Sequence, residues 1–334
     1  MDRVNFYFDG VTILNSNAVV LDGYTLNPGD NPWSALSNTI NTDIYERSLP
    51  HEVQERSQKA SVLVVNKVRI DREMIAALPN LRFITVTATG FDCVDVAAAR
   101  ECGIPVSNVP VYGTDSVAQH VFAVLLHILH RIDSHDSAIR NGHWQRTGDF
   151  SFWLSPLTEL ARKTIGIIGF GRIGRRVGEI ANVFGMRVLA NSRSQTATPN
   201  WPAFDWANVE HIAAESDVVT LHCPLTNETQ NLVDSEFLSK CKPTSILINT
   251  GRGPLVNEAD LAAALNAGQL AAAGLDVVSQ EPINEDNPVL QAKNCFLTPH
   301  MAWATLEARQ RLMATTVDNV KAFLAGQPQN VVNP

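Results

Sequence analysis

The sequence predicts an α/β protein made of two Rossmann-like, doubly wound parallel-sheet domains, the first of which is discontinuous. Three observations support this prediction. At 334 residues the chain is longer than one ordinary hydrophobic core requires. Short apolar runs alternate with helical patterns along most of its length, which is typical of crossover connections on parallel sheets. Finally, glycines with G-x-G-x-x-G spacing lie between a predicted strand and a predicted helix.

The glycine turn begins after a predicted buried strand, Thr164–Ile168, which is rich in β-branched residues. Gly169, Gly171 and Gly174 then lead into a helical pattern and a second predicted strand, Met186–Ala190. The first glycine permits a tight bend, the second lets a pyrophosphate approach the backbone, and the third lets helix and strand pack closely. Because a helix start also offers unpaired N–H groups, the segment predicts a dinucleotide site. The alternative is a glycine-rich turn without a ligand.

The first predicted domain shows a regular alternation of strands and helices. Its candidate elements are, in order, Ala18–Leu21, Val62–Val65, Arg72–Ala77, Phe83–Val86 and Val94–Glu101. This alternation implies crossover units on a parallel sheet. Residues 1–17 are less regular, and we predict either an N-terminal extension or an edge strand at Val4–Phe8.

A long helical pattern, Asp115–Arg140, opens the second predicted domain. It is too long for a crossover and is expected to link the domains or to form a subunit interface. Beyond the glycine turn, further strand candidates are Asp217–Leu221, Ser245–Asn249, Ala273–Val277 and Cys295–Thr298. A final helix, Ala304–Ala325, is long enough to return to the first domain. The predicted division is 1–17 as extension or edge strand, 18–112 with 305–334 as the first domain, and 113–304 as the second.

Composition and charge exclude several classes of function. The net charge of −8 argues against nucleic acid or an anionic membrane as the main partner. The opening MDRVNFYFDG carries charges where a secretory signal needs an apolar core, so we expect a cytoplasmic protein. The most apolar helical run, Val121–Leu126, is too short to span a bilayer, so no membrane partner is predicted.

Histidines and exposed aromatic residues mark the region around the long helix. His127 and His130 have the spacing of a metal-binding pair, and His120 lies on the same helix. They lack an acidic or third ligand at suitable spacing, so we predict packing or interface residues and no metal site. The segment Gly142–Leu160 contains four aromatic residues, which could form a dimer contact or a buried loop.

Three ionisable residues follow predicted strands and are candidates for catalysis: Arg252, Glu281 and His300. Ligands of open α/β sheets bind outside the carboxyl ends of the strands. Reduction of a 2-keto acid requires a cation for the carboxylate, which suits arginine, and an acid for the carbonyl oxygen, which suits histidine. A glutamate bonded to the imidazole would fix its tautomer. The alternatives are a surface charge, a solvated carboxylate and a capped turn residue, respectively.

Several long motifs resemble one known family, the D-isomer-specific 2-hydroxyacid dehydrogenases. They are GFGRIG at 169–174, HCPLT at 222–226, INTGRGPLVNEADL at 248–261, GLDVVSQEP at 274–282 and TPHMAWAT at 298–305. The resemblance implies a discontinuous substrate-binding domain, a central NAD(P)-binding Rossmann domain and a cytosolic homodimer. It also implies a catalytic set that matches Arg252, Glu281 and His300.

The resemblance assigns further residues to substrate and cofactor. A loop matching Ala88, Thr89 and Gly90 would hold the substrate carboxylate through its backbone N–H groups. Trp303 would wall the substrate pocket, or else serve only as a packing residue. Ser116 would lie near the nicotinamide and Asp276 near its carboxamide. The other residues expected at the cofactor are Gly169, Gly171, Arg172, Ile173, Gly174, Ser192, Arg193, Cys223, Pro224, Thr250 and Gly251.

Within the family, three segments are most similar to glycerate dehydrogenases, also called hydroxypyruvate reductases. They are VVLDGYTLNPGD at 19–30, VVNKVRI at 64–70 and PHMAWAT at 299–305. The implied reaction is reduction of hydroxypyruvate to D-glycerate, with glyoxylate, reduced to glycolate, as a possible second substrate. The alternatives are a broader 2-ketoacid reductase acting on phenylpyruvate or 2-ketogluconate, and a non-catalytic dinucleotide-sensing scaffold.

The residues after the second Rossmann strand depart from many family members. Those members place an acidic residue there to bind the ribose 2′-hydroxyl, whereas this chain has Asn191, Ser192, Arg193 and Ser194. No carboxylate would repel a 2′-phosphate, and Arg193 could pair with it. We therefore predict that NADP(H) is favoured over NAD(H). The alternative for Arg193 is a solvated loop charge.

Overall fold

The structure of the protein is a computed structural model that describes residues 16–334. These residues form two compact units. The first unit extends to Gly113 and is completed by Ala304–Pro334, and the second is Thr114–Trp303. The candidate strand Val4–Phe8 lies outside the described residues.

The first unit is built on a parallel sheet. Its strands are β1 (Asn17–Val20), β2 (Asn41–Ile44), β3 (Val62–Val65), β4 (Phe83–Val86) and β5 (Val106–Ser107). Its helices are α1 (Ser34–Ser37), α2 (Pro50–Ser57), α3 (Arg72–Ala76), α4 (Val96–Glu101) and α12 (Leu306–Leu324). The strand order is β2-β1-β3-β4-β5, and all the neighbours are parallel. Every residue of β3 and β4 is buried, as expected for central strands covered on both faces.

The last helix packs on this sheet. The ring of Phe323 in α12 stacks on that of Phe83 in β4, with centroids 4.6 Å apart. Near the start of α12, the buried Arg309 forms two hydrogen bonds to the carboxylate of Asp30, at 2.6 and 2.8 Å. The C-terminal segment is therefore an integral layer of the first unit.

The second unit is built on a larger parallel sheet. Its strands are β6 (Thr164–Ile168), β7 (Arg187–Asn191), β8 (Phe204–Trp206), β9 (Val218–Leu221), β10 (Ile246–Asn249), β11 (Ala272–Leu275) and β12 (Cys295–Leu297). Its helices are α5 (Thr114–His130), α6 (Ile132–Arg140), α7 (His143–Thr147), α8 (Arg172–Val183), α9 (Val209–Glu215), α10 (Ser235–Lys240) and α11 (Glu258–Ala267). The strand order is β12-β11-β10-β9-β6-β7-β8. Successive strands are therefore added on one side of β6 up to β8 and on its other side from β9 onward. The boundary between β6 and β9 is the switch point at which doubly wound sheets bind ligands.

The two parallel sheets confirm the predicted fold class. Three short strands were missed, and all three lie at sheet edges: β2, β5 and β8. In β2, three of four residues are exposed, so no apolar alternation marks it in the sequence. The predicted β3, β4 and β6 have the bounds that the structure shows.

The prediction of one helix over Asp115–Arg140 was wrong. The chain breaks at Arg131, which has the left-handed φ of 47°, and α6 starts anew at Ile132. The guanidinium of Arg131 lies over the ring of Phe296, 4.7 Å from its centroid, which stabilises the turn. The apolar face of α5, including Val121 and Leu125, packs in the core of its own unit.

The aromatic segment that follows is largely exposed. Phe150 is 95% and Trp153 66% accessible, so the interpretation as a buried loop was wrong for these two residues. The ring of Phe152 packs against those of His143 and Trp144. A subunit interface on this segment stays a prediction.

Two negative findings apply to residues 16–334. No helix in this range combines the length and the apolar character needed to cross a bilayer. Nor do these residues bring three or more His, Cys, Asp or Glu side chains into a metal-binding arrangement. Of the three candidate histidines, His127 packs edge-on against Phe296, with centroids 5.2 Å apart.

Candidate active site

The glycine turn follows β6 at the switch point of the second sheet. Gly169 has a φ of +99°, and a Cβ there would lie 2.3 Å from the backbone nitrogen of Cys223. A Cβ on Gly174 would lie 2.2 Å from the carbonyl oxygen of Gly169. Nothing lies within 4 Å of a Cβ built on Gly171. The turn is thus tight at the first and third glycines and open at the second, as close approach of a ligand requires.

The start of α8 lies directly after this open position. Gly171 is the N-cap residue and provides no side-chain cap, while Arg172 and Ile173 form the first turn. The helix has 12 residues, so its N-terminus carries the partial positive charge of a regular helix. This end of α8 suits the pyrophosphate of a dinucleotide.

A buried hydroxyl at the end of β10 supports the same fit. Oγ1 of Thr250 is buried and has no hydrogen-bond partner within residues 16–334. A buried polar atom without a partner is costly, so a polar ligand group that bonds to it would stabilise the site. Cys223 and Pro224 follow the neighbouring strand β9, and burial raises the pKa of the Cys223 thiol. That thiol is consequently neutral and unsuited to nucleophilic chemistry.

His222, beneath the glycine turn, was not singled out from the sequence. Its Nε2 lies 2.9 Å from Oγ1 of Thr220, and its backbone nitrogen donates to the oxygen of Ile168 at 2.7 Å. Burial lowers the pKa of His222 to about 3, so the ring is neutral at physiological pH. It contributes packing beneath the turn and no positive charge.

The end of β7 is joined to the glycine turn through the backbone. The N–H groups of Gly169 and Phe170 donate to the carbonyl oxygen of Asn191, at 3.0 and 3.1 Å. The side-chain amide of Asn191 donates to the oxygen of Ala207 at 2.9 Å. The end of β7 therefore carries a neutral amide whose donor is already engaged.

Two arginines flank the loop after β7. Ser192 is half-buried, and Arg193 is exposed beside it. Arg175 of α8 lies over the ring of Phe170, 4.9 Å from its centroid, and its Nη2 reaches the oxygen of Thr196 at 3.5 Å. The sequence carries no Asp or Glu from residue 191 to residue 200. The loop itself thus has a positive charge that suits a phosphate. Glu228 lies nearby, and a hydrogen bond from Thr226 and the charge of Arg193 lower the pKa of its carboxyl.

Arg252, Glu281 and His300 follow β10, β11 and β12, which are neighbours in the sheet. Nδ1 of His300 lies 2.6 Å from Oε2 of Glu281. His300 has a left-handed φ of 53°, and its N–H donates to the oxygens of Asp276 at 2.8 Å and Thr298 at 3.0 Å. A non-glycine residue in this conformation is uncommon and often found at functional sites.

The loop carrying Arg252 packs against the loop carrying Glu281. Nδ2 of Asn249 donates to the oxygen of Arg252 at 2.9 Å, and its Oδ1 accepts from the nitrogen of Gly251 at 3.0 Å. A Cβ on Gly253 would lie 1.9 Å from the carbonyl carbon of Val278. The backbone at Arg252 is therefore fixed, while its side chain is exposed and its Nη1 donates to the carbonyl oxygen of Gly251 at 2.9 Å.

Asp276 anchors the loop on which His300 lies. Its Oδ1 accepts hydrogen bonds from the hydroxyl of Thr298 at 2.6 Å and from the nitrogen of Met301 at 2.8 Å. Its Oδ2 accepts from the nitrogen of Ala302 at 2.8 Å, and the hydroxyl of Ser116 donates to the oxygen of Ala302 at 2.6 Å. Asp276 and Ser116 were expected near the nicotinamide, which stays a prediction. In the structure their side chains form hydrogen bonds that hold the loop of His300.

His120 belongs to the same network, although the sequence suggested a packing or interface residue. Its Nε2 lies 3.1 Å from Oγ1 of Thr298 and 3.6 Å from Oδ1 of Asp276. His120 is one helical turn beyond Ser116 on α5, so both side chains lie on one face. That spacing is the signal from which its involvement could have been inferred.

The remaining predicted substrate residues were Ala88, Thr89, Gly90 and Trp303. In the first unit, the oxygen of Ala88 accepts from the nitrogen of Val109 at 3.0 Å, and the hydroxyl of Thr89 donates to the oxygen of Val109 at 2.8 Å. These bonds fix the loop at Ala88 and Thr89. Trp303 is half-buried at the end of the second unit. Their roles at a substrate stay predictions.

Comparison with known proteins finds relatives along nearly the whole chain. The family model for the NAD binding domain of D-isomer specific 2-hydroxyacid dehydrogenases matches residues 122–302. A hydroxypyruvate reductase from Blautia hydrogenotrophica is 46% identical over 318 residues, covering 94% of this chain and 99% of that protein. A glycerate dehydrogenase from Methylorubrum extorquens is 41% identical over 285 residues, covering 85% of this chain and 88% of that protein.

A solved structure is similar over the same extent. The D-lactate dehydrogenase from Aquifex aeolicus, complexed with NAD and lactic acid, superposes with a TM-score of 0.82 at 27% identity. The match covers 96% of this chain and 99% of that chain. The similarity therefore includes both units and is not limited to the dinucleotide-binding portion.

Proposed function

Because the chain belongs to the D-isomer specific 2-hydroxyacid dehydrogenase family, we propose that it reduces hydroxypyruvate to D-glycerate with a reduced nicotinamide dinucleotide. The family makes the protein an oxidoreductase with a nicotinamide cofactor, and the relatives support a small 2-keto acid as substrate. We propose glyoxylate, which would yield glycolate, as a second substrate.

The observation that carries the proposal is the 2.6 Å contact between His300 and Glu281 at the carboxyl edge of the sheet. A carboxylate that accepts a hydrogen bond from Nδ1–H fixes the imidazole tautomer and the orientation of the ring. Nε2–H of His300 is then the proton donor for the carbonyl oxygen of the substrate. A reduced nicotinamide, when bound, would supply the hydride. Hydride and proton together would convert the keto acid to the 2-hydroxy acid.

Arg252 would bind the substrate carboxylate. Its guanidinium is exposed on a backbone held by Asn249, and a planar fork can form two parallel hydrogen bonds to a carboxylate. Binding by Arg252 would orient the adjacent carbonyl toward His300. Orientation of this kind lowers the barrier because the reacting groups no longer have to find each other.

For the cofactor we propose that NADPH is preferred over NADH. Asn191 provides no negative charge against a 2′-phosphate, and Arg193 and Arg175 provide positive charge on either side of the loop. An exposed arginine can pair with a phosphate through charge-assisted hydrogen bonds. Because this argument uses only Asn191, Arg193 and Arg175, it is independent of the identity of the keto acid.

Steady-state assays of the purified protein test both proposals. Loss of reduced-nicotinamide absorbance would be followed with hydroxypyruvate, glyoxylate, pyruvate, phenylpyruvate and 2-ketogluconate, each with NADPH and NADH. We expect the highest kcat/KM for hydroxypyruvate with NADPH, and D-glycerate as product. A higher kcat/KM for phenylpyruvate or 2-ketogluconate would identify a broader 2-ketoacid reductase. Cofactor binding without turnover of any keto acid would favour a sensing scaffold.

A further inference from the structure

The loop that carries Glu281 is held by a carboxylate outside the predicted catalytic set. Oε1 of Glu258, the first residue of α11, accepts a hydrogen bond from the backbone nitrogen of Ser279 at 2.5 Å. Oε2 of Glu258 accepts from the hydroxyl of Ser279 at 2.6 Å and from Nδ2 of Asn287 at 2.8 Å. Ser279 and Asn287 lie on either side of Glu281, so one carboxylate fixes the loop on both sides of it.

We propose that Glu258 is a positioning residue for the reaction, acting through Glu281 on His300. This inference rests on the proposed function, in which His300 donates the proton. The connection is short, because Ser279 is two residues from Glu281 and Oε2 of Glu281 lies 2.6 Å from Nδ1 of His300. Without the tether at Ser279, the loop would sample positions in which that hydrogen bond is broken.

The surroundings of the loop explain why a carboxylate is used there. Gly253 packs against Val278 from one side, and Oε1 of Glu281 also lies 3.4 Å from the nitrogen of Val278. On the other side three donor groups, from Ser279 and Asn287, converge on Glu258. An ionised carboxylate can accept several hydrogen bonds, and charge-assisted bonds are stronger than neutral ones. Asn287 is itself buried, so its amide requires this partner.

A purely structural role for Glu258 is the competing explanation. Acidic residues in the first turn stabilise a helix through its dipole, and α11 has Glu258 and Asp260 there. Asp260 supplies a matched control. Its Oδ2 accepts a hydrogen bond from the nitrogen of Ser235 at 2.9 Å, which joins α11 to the start of α10 instead of to the Glu281 loop.

A double-mutant cycle on the full-length enzyme separates the two explanations. Glu258→Ala should lower kcat by about threefold, which is less than the loss from Glu281→Gln, and should cause almost no further loss in a Glu281→Gln background, because residues acting as one unit are not additive. Asp260→Ala should leave kcat near the wild-type value. The Kd for the reduced cofactor, measured by fluorescence, should be unchanged in all of these variants. Glu258→Gln, which keeps one acceptor oxygen, should restore part of kcat.

Equal losses from Glu258→Ala in both backgrounds, or an equal loss from Asp260→Ala, would overturn the proposal. If Glu258→Ala does not fold, Ser279→Ala replaces it in the cycle, since it removes only the 2.6 Å hydroxyl bond. Ser279→Ala should then show a smaller loss with the same dependence on Glu281, and additivity would overturn the proposal equally. If the wild type does not reduce hydroxypyruvate, the proposed substrate is wrong. The cycle is then run with the keto acid that the wild type reduces.

Discussion

Replacing Glu281 with glutamine measures what this carboxylate contributes to proton donation. Its Oε2 lies 2.6 Å from Nδ1 of His300. A hydrogen bond to a charged group contributes about 1.5–3 kcal/mol, against about 0.5–1.5 kcal/mol for a neutral one, so the substitution removes about 1–2 kcal/mol. The side chains of His300 and Glu281 are 26% and 34% exposed, so solvent screening favours the lower end of that range. A loss of about 1 kcal/mol in the transition state lowers kcat/KM about fivefold.

The assay is kcat/KM for keto-acid reduction, with His300→Ala as the reference variant. His300→Ala should lose about 10²–10⁴-fold, because it removes the proposed general acid. Glu281→Gln should lose far less, because the glutamine oxygen can still accept a hydrogen bond from Nδ1–H although it carries no charge. Wild-type kinetics in Glu281→Gln would refute the reasoning. So would a loss as large as that of His300→Ala, since Glu281 would then do more than orient the ring.

Three other predictions concern the substrate, the cofactor and stability. Arg252→Lys keeps the charge but loses the planar fork, so KM for the keto acid should rise about tenfold and turnover should fall; near-normal kinetics would remove Arg252 from the site. Arg193→Ser should raise KM for NADPH about tenfold and leave that for NADH nearly unchanged; parallel changes for both cofactors would contradict the 2′-phosphate contact. His222 has a pKa of about 3 in the folded protein, against about 6.5 for an unfolded chain. The unfolded state therefore binds the extra proton as pH falls, and the free energy of unfolding decreases by up to about 1.4 kcal/mol for each pH unit below about 6.5. Denaturant titrations of His222→Gln should show a weaker decrease than the wild type, and an identical pH dependence would refute this.

Strands covered on both faces were predictable from the sequence. Val62–Val65 and Phe83–Val86 are runs of buried apolar residues, and such runs have few other interpretations. Edge strands were not predictable from the sequence. The strand Asn41–Ile44, for example, pairs with a single neighbour and exposes most of its side chains, so it has no apolar pattern. The break between α5 and α6 at Arg131 was also not predictable from the sequence, because Arg131 contacts Phe296, which is distant in sequence.

The candidate site was predictable to the extent that its residues follow strands. Parallel topology brings Arg252, Glu281 and His300 to one edge of the sheet once their strands are recognised. The spacing of Ser116 and His120 indicates a shared face of α5, but the partners of that face could not be inferred, because they lie on distant segments. His120 lies 178 residues from Thr298, and no local pattern predicts that their side chains are 3.1 Å apart.

The order of strands in the second sheet separates two properties of the enzyme. The residues expected to choose the cofactor follow β6 and β7, on one side of the switch point. The proposed acid His300, its partner Glu281 and the proposed carboxylate ligand Arg252 follow β10 to β12 on the other side. Exchange of the β7 loop should therefore alter the electron donor while leaving proton delivery intact. Cofactor choice and bond chemistry could thus diverge independently among descendants of a single ancestral scaffold.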